Sequence, residues 1–390
     1  MRFYNKKSKE NQIDFDTYFR YNLTNMNNMK IIKVNLKDRS YPIIIGADLA
    51  QSGELLKKIL KIRVQARRVL IVTNKLVAGL YLASVENSLK KSGFLVSSAI
   101  ILDGESYKTL KTVKKLYASA VENGLDRTSL VVALGGGVVG DITGFFAATY
   151  MRGIEIVQIP TTLLAMVDSS IGGKTGVDLK EGKNLVGAFH QPKAVLIDTK
   201  VLTTLPLRQL RNGMAEVIKY SLLENGNLFD FLQKNVDLEC VFKDRVLEKI
   251  IFECASIKAR IVSADEYEKT GLRQKLNLGH TFAHTIETVC GYKGLLHGEA
   301  VAFGIILACH LSMLLGTFKN NDFKAVRSLI LGFGLPVEIS KKVEADDYIT
   351  VMGRDKKSVL GAIKFVLPQK IGNVLTGVEV NKNKIKEVLK

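Results

Sequence analysis

Three of the chain's five histidines, His280, His284 and His297, are crowded into residues 280–297. His280 and His284 stand at i and i+4 in LNLGHTFAHTIE, so on a helix they share one face. Imidazoles at that spacing ligate zinc in HExxH sites, but no Glu lies between these two, and that protease chemistry has no base here. A carboxylate is on offer at Glu216, within the helical segment NGMAEVIKY. Singly, each histidine reads as a satisfied core or surface residue. Crowded together and joined by Glu216, they favour a His/Glu metal site whose three protein ligands leave positions open for catalysis.

A second candidate is GGGVVGD at 135–141, which follows the apolar run SLVVAL and precedes the apolar stretch Ile142–Tyr150. Strand, Gly-rich turn and helix in that order turn backbone N–H groups toward a diphosphate. Gly135, Gly136 and Gly137 are expected to take positive φ and to let the backbone approach a ligand. The spacing is not GxGxxG, so no standard dinucleotide fingerprint is present, and a tight turn without a ligand reads equally well. Two further segments favour the nucleotide: DGESYKT at 103–109 and PTTLLAMVDSSIGGKTGVD at 160–178 each follow a strand-like run. Ligands of open α/β sheets sit at that carboxyl end. Thr161 and Thr162 offer hydroxyls to a ribose or phosphate, and Gly172, Gly173 and Lys174 form a second anion-friendly turn.

Basic and amide side chains cluster in the same kinds of segment: Lys174, Lys183, Asn184, Lys219, Lys258, Arg273 and Asn277. Lys183 and Asn184 lie in EGKNLVGAFHQP, a stretch too apolar and Gly-rich for an ordinary exposed loop. Arg273 and Asn277 immediately precede the histidine helix. Charge-assisted hydrogen bonds from such groups would hold a phosphate or a carboxylate.

The elements that must position these residues fall into two halves. Ile31–Leu36, Tyr41–Ile45, Arg68–Thr73, Val96–Leu102, Ser129–Leu134, Glu155–Ile159 and Ala194–Asp198 are short, Val/Ile-rich runs. Helix-length segments such as Leu76–Ser92 and Thr109–Asn123 separate most of them, which predicts a mostly parallel sheet covered by helices. After Leu205-Pro206 helical periodicity takes over, in Arg208–Leu223, Leu247–Ala264, His280–Val289 and Gly298–Leu315, with one late strand-like run at Ala362–Leu367. The expected organisation is an N-terminal extension (1–29), an α/β Rossmann-like nucleotide domain (30–205) and a mainly helical metal- and substrate-binding domain (206–390). No Gly/Ser- or Pro-rich linker marks the boundary, so the two are expected to pack closely around a cleft.

Composition narrows the function. The 390 residues are 47% hydrophobic and 24% charged, a globular balance. The net charge is +18, but the Lys residues are scattered, Trp is absent and aromatics are 7%, which argues against nucleic acid. The richest apolar stretch, Ala300–Leu315, is interrupted by His310 and Ser312 and reads as a buried helix rather than a membrane span. Cys240, Cys254, Cys290 and Cys309 form no CxxC pair, so a reducing cytoplasm is the expected compartment. Residues 1–28 are polar and Asn-rich without the apolar core of a signal peptide, and Glu10, Asp14 and Asp16 argue against a transit peptide.

DGESYKT, GGGVVGD, IPTTLLAMVDSSIGGKTGVD, GKNLVGAFHQP, NGMAEVIKY, GLRQKLNLGHTFAHTIE and LLHGEAVAFG, in that order, resemble the 3-dehydroquinate synthase family of the sugar phosphate cyclases, over about residues 30–390. The resemblance implies a shikimate-pathway lyase that turns 3-deoxy-D-arabino-heptulosonate 7-phosphate into 3-dehydroquinate and phosphate. It also implies recycled NAD, zinc or cobalt, and a homodimer. Glu216, His280 and His297 match the family's metal ligands, which assigns His284 to the substrate. Asp103, Gly104, Glu105, Ser106, Tyr107, Lys108, Gly137, Val138, Val139, Gly140, Asp141, Thr161, Thr162, Lys174, Lys183, Val201, Leu202, Thr203 and Thr204 match its NAD contacts. Asp168, Lys174, Lys183, Asn184, Lys219, Lys258, Arg273, Asn277, His284 and Lys364 match its substrate pocket, and Arg152 an arginine that reaches the partner subunit's pocket. Between Asp265-Glu266 and Gly271-Leu272-Arg273 the chain holds one residue more than the family pattern, which makes Glu268 the acidic residue before GLR. The rivals are a sibling cyclase such as a 2-deoxy-scyllo-inosose synthase, a metal-dependent polyol dehydrogenase, and a catalytically dead NAD-binding regulator.

Overall fold

A computed structural model of the chain describes residues 29–50, 52–61, 67–224, 226–236, 244–291, 294–339, 345–353 and 363–389. Except for Met29, the expected N-terminal extension lies outside them, as does Ala362.

The seven apolar runs of the first half are strands of one sheet. They are β1 (Lys30–Val34), β2 (Tyr41–Gly46), β3 (Arg68–Asn74), β4 (Leu95–Ile101), β5 (Leu130–Gly135), β6 (Glu155–Pro160) and, after the hairpin β7 (Lys174–Leu179) and β8 (Gly182–Phe189), β9 (Ala194–Asp198). The order is β1-β2-β9-β6-β5-β3-β4; every pairing is parallel except β1 with β2. Side chains alternate between two apolar layers: Val69, Ile71, Leu130 and Val132 face one, Leu70, Val72, Val131 and Ala133 the other. Burial on both faces is why β2, β3, β5, β6 and β9 read as apolar runs, whereas the edge strands β1 and β4 are partly exposed.

Helices α1 (Gly53–Lys61), α2, α3 (Leu110–Glu122) and α4 (Gly137–Thr149) belong to this half. α2 was expected as one regular helix; it runs Lys75–Val77, passes through a π turn at Ala78–Leu82, and continues as Ala83–Lys91.

The second half carries α5 (Leu207–Leu223), α6 (Gly226–Lys234), α7 (Asp244–Ala264), α8 (His280–Val289), α9 (His297–Leu314), α10 (Asn320–Gly332) and α11 (Ala345–Gly353). A hairpin, β10 (Ile363–Lys370) with β11 (Asn373–Val380), and α12 (Lys382–Val388) complete it. α7 packs on β1 and β2, and Lys30 reaches Glu248 at 3.1 Å across that contact. Leu210, Met214 and Val217 of α5 share an apolar core with Ile43 and Ile45 of β2 and Val157 of β6. α9 is apolar over 18 residues, but 67% of it is buried against protein, as a core helix is.

Candidate active site

Three helices deliver the metal-type ligands. Glu216 and Lys219 sit one turn apart on α5, His280 opens α8 and His297 opens α9. α9 lies unusually close to its neighbours because glycines face them. A Cβ on Gly298 would stand 1.9 Å from the backbone oxygen of Asn212 on α5, and one on Gly304 would stand 2.2 Å from that of Gly279, which precedes α8. The Gly298 N–H donates to Asn212 Oδ1 at 2.5 Å, fixing the first turn of α9.

The result is a compact donor set. The ligating atoms of Glu216, His280 and His297 all lie within 4.8 Å of one another. Glu216 Oε1 faces His280 Nε2 at 3.5 Å and His297 Nε2 at 3.6 Å. This oxygen is buried and accepts no hydrogen bond from the described residues. His280 Nδ1 lies 3.1 Å from the carbonyl of Leu278, an acceptor only, so Nδ1 carries the proton and Nε2 turns a lone pair toward the carboxylate. Burial opposes a charge on His297, but the Glu216 and Glu287 carboxylates raise it to about 10, so in the absence of a cation a proton sits where one would bind. A buried carboxylate facing the His280 lone pair and this ring is a donor set that a cation completes. The residues therefore fit a divalent metal, and His/Glu donors suit zinc-like ions.

Electrostatics around Glu216 are strong. Burial opposes its charge, but the Lys219 ammonium, in contact with Oε2, and the histidines bring it down to about 2. Burial, helped by the Lys219 charge and opposed by Glu216, pushes His280 down to about 3, which keeps it neutral, as a ligand must be. Asp168, in the π turn Ala165–Ser169, is the hub of the next layer. It meets Lys258 Nζ at 2.9 Å and Lys219 Nζ at 3.6 Å, and accepts the Tyr220 hydroxyl at 2.5 Å. Burial works against its charge, yet Lys258 and Lys219 hold it well below the ordinary carboxylate range. Burial lowers Lys258 to about 8 in spite of Asp168.

The expected nucleotide residues gather along one edge of the sheet. Asp103–Lys108 follow β4, Gly137–Asp141 follow β5, Thr161 and Thr162 follow β6, and Val201–Thr204 follow β9 in the 3-10 turn Thr199–Thr204. All lie at carboxyl ends of parallel strands, where such sheets bind ligands. Gly135, Gly136 and Gly137 do not take positive φ, contrary to expectation. α4 begins at Gly137 directly after the strand, and the glycines serve close packing: added Cβ atoms would meet Val139 at 2.6 Å, Thr162 at 3.1 Å and Ser169 at 2.9 Å. The N–H groups at the start of α4 and the buried hydroxyls of Thr161 and Ser169, which make no hydrogen bond among the described residues, fit a diphosphate-bearing nucleotide. Val201 and Leu202 are buried in the core, whereas Thr203 and Thr204 are exposed. Asp103, Gly104, Ser106 and Tyr107 are also exposed.

Ion pairs join the distant motifs. Buried Lys108 reaches Asp141 Oδ2 and Asn184 Oδ1, each at 2.6 Å. Lys183 lies between Glu105 (3.5 Å) and Glu287 (3.1 Å). Lys174 meets Glu268 at 2.6 Å, and Glu268 also accepts from Asn277 Nδ2 at 3.2 Å. Glu268 has φ 59°, in the left-handed region. Arg273 is buried, and its guanidinium donates to the carbonyls of Glu266 and Gly172. His284 is exposed on α8, its ring 5.5 Å from that of His280. Lys364 pairs with Glu379 across the β10–β11 hairpin (3.6 Å), and Arg152 is exposed with φ 70° on the turn Tyr150–Arg152.

Three groups in this network escaped the sequence reading: Tyr220 on Asp168, the pairing of Glu268 with both Lys174 and Asn277, and Glu287 beside His297. Glu287 carried a signal, since it stands at i+7 from His280 in HTFAHTIE, on the same helix face.

The sequence model of the 3-dehydroquinate synthase N-terminal family matches residues 98–212, and that of the C-terminal family matches residues 213–358. A curated 3-dehydroquinate synthase of Desulforamulus reducens is 47% identical over 347 residues, 89% of this chain and 95% of the relative. A crystal structure of 2-deoxy-scyllo-inosose synthase with carbaglucose-6-phosphate, NAD+ and Co2+ superimposes with a TM-score of 0.83 at 29% identity, covering 92% of this chain and 99% of that one. The 2-epi-5-epi-valiolone synthase of Streptomyces hygroscopicus subsp. jinggangensis, with NAD+ and Zn2+ bound, gives 0.83 at 30% identity, covering 91% and 97%.

Proposed function

The chain belongs to the 3-dehydroquinate synthase family, and from this we propose that it converts 3-deoxy-D-arabino-heptulosonate 7-phosphate into 3-dehydroquinate and inorganic phosphate. The observation that carries the reading is the buried Glu216 carboxylate, aimed at two imidazole nitrogens and backed by Lys219, Asp168 and Lys258. That arrangement suits a polyhydroxylated, anionic substrate held against a metal. Glu216, His280 and His297 would hold zinc or cobalt, and the turns after β4, β5, β6 and β9 would hold NAD. NAD, when bound, accepts and returns a hydride, and the metal, when bound, acts as a Lewis acid on substrate hydroxyls.

The chain's own residues bind and orient. Lys174 and Asn277, joined through Glu268, together with His284 and Lys364, would hold the phosphate and carboxylate ends through charge-assisted hydrogen bonds. Arg273, fixed by two backbone carbonyls, presents its charge in a set position. Asp168 keeps Lys258 and Lys219 charged and aimed, and Tyr220 fixes Asp168 in turn. These preorganised charges would stabilise the charge that develops as phosphate departs. The division at residue 205, a homodimer completed by Arg152, and a cytoplasmic location accompany this reading.

A sibling cyclase would act on a sugar phosphate lacking the carboxylate; the presence of both Lys258 and Arg273 favours the acidic substrate. The test offers the heptulosonate phosphate and glucose 6-phosphate to the zinc-loaded protein with NAD. Phosphate release from the heptulosonate phosphate is expected. Turnover of glucose 6-phosphate alone would assign the chain to the sibling activity.

A further inference from the structure

Glu287 lies on α8, two turns beyond His280, and is 4% exposed. Burying an ionised carboxylate is costly unless it is paired. Its partners come from two different parts of the site. Oε1 lies 3.3 Å from His297 Nδ1 and 3.1 Å from Lys183 Nζ. Oε2 is buried and accepts no hydrogen bond from the described residues, so the pairing of this carboxylate rests on Oε1. Lys183 in turn reaches Glu105, in the loop after β4, at 3.5 Å.

We propose that Glu287 is a positioning residue for the metal centre: it accepts the His297 Nδ1–H, aims Nε2 at the metal position beside Glu216, and through Lys183 anchors this ligand to the nucleotide loop. An imidazole needs its second nitrogen fixed if the first is to present a lone pair in one direction. His280 obtains this from a backbone carbonyl, that of Leu278. His297 stands at the start of its helix and obtains it from a side chain on a different helix. The ligand's aim therefore depends on a residue that touches neither metal nor substrate. The inference rests on the metal-site reading above and adds a residue to it.

Zinc affinity, measured by competition with a chromogenic chelator, tests the proposal on wild type, Glu287→Leu, Glu287→Gln and, as a control for the site itself, His280→Ala. Leu fills the buried volume and removes the acceptor; Gln keeps a neutral one. Wild type should bind most tightly and Glu287→Gln less so. Glu287→Leu should be weaker than wild type by about 10–100-fold, and His280→Ala should lose stoichiometric zinc. Glu287→Leu at wild-type affinity, with His280→Ala impaired, overturns the role of Glu287 and leaves the metal site standing. Wild-type affinity in His280→Ala overturns the site and the proposal together.

A second measurement serves if the Leu variant does not fold. In histidine-ring proton–nitrogen spectra of the zinc-loaded protein, the His297 Nδ1–H resonance should be present and downfield. It should move upfield in Glu287→Gln, where the acceptor loses its charge. An unchanged His297 ring in that variant refutes the contact.

Discussion

Gly298→Ala should separate stability from ligand geometry in one step. The new Cβ would sit 1.9 Å from the Asn212 backbone oxygen, and ordinary contact begins at 3.4 Å. The atom it meets belongs to α5's own backbone, which moves only as a helix, so the first turn of α9 must lift away from α5. Overpacking of this kind costs about 1–3 kcal/mol. The same lift separates His297 from Glu216, now 3.6 Å apart across the metal position. Metal–ligand distances tolerate only about 0.2 Å. Zinc content should therefore fall well below one per chain even where the protein remains folded. The assay pairs urea unfolding with zinc content after dialysis. Gly79→Ala is the control, since a Cβ there meets nothing within 4 Å. It should gain about 0.4–1 kcal/mol and keep its zinc. A Gly298→Ala protein with wild-type stability and a full zinc complement would refute the claim that close approach of α9 to α5 sets the ligand geometry.

His280→Ala should remain folded while losing bound zinc and turnover; full activity after exhaustive chelation would remove His280 from the metal site. Arg273→Ala should lower kcat/KM by the equivalent of about 2–5 kcal/mol if its charge meets a substrate anion in a desolvated site, and an unchanged kcat/KM would exclude that role. Lys258 titrates at about 8 in the fold, below its ordinary 10.5, so between those values the unfolded chain binds the extra proton. Its contribution to stability therefore rises as pH climbs from 8 toward 10.5, by roughly 3 kcal/mol. Urea midpoints at pH 7.5 and 9.5 should show less of that rise in Lys258→Met; identical pH dependence in both proteins would show that Lys258 is not held at low pKa.

The five inner sheet strands were legible because burial on both faces leaves a plain apolar run; the edge strands β1 and β4, partly exposed, were legible from their β-branched residues, and all seven ends differ from the expected ones by only a residue or two. The β7–β8 hairpin was not. Gly176, Gly182 and Gly187 dilute its strand pattern, and two of them are there because the paired backbones leave no room: a Cβ on Gly187 would stand 2.3 Å from Thr175 O, and one on Gly176 2.8 Å from Val186 O. The candidate metal-holding residues could be named from residue type and family motif, but their convergence could not. It depends on Gly298 against Asn212 and Gly304 against Gly279, contacts between separate helices that no local periodicity encodes. Tyr220 carried no sign of its role in the sequence, and the i+7 spacing of Glu287 from His280 gained meaning only once the fold placed His297 against it. The Gly-rich turn lies between β5 and α4 as expected, but close packing, not positive φ, requires those glycines.

A cyclisation in which NAD is recycled can be tested in one reaction. The zinc-loaded protein is given 3-deoxy-D-arabino-heptulosonate 7-phosphate in large excess over NAD, and phosphate, 3-dehydroquinate and NADH are followed together. Phosphate and dehydroquinate should appear in equal amounts, with many turnovers per NAD and no accumulating NADH. NADH formed in step with substrate consumed, without phosphate release, would make the chain a dehydrogenase and contradict the cyclisation.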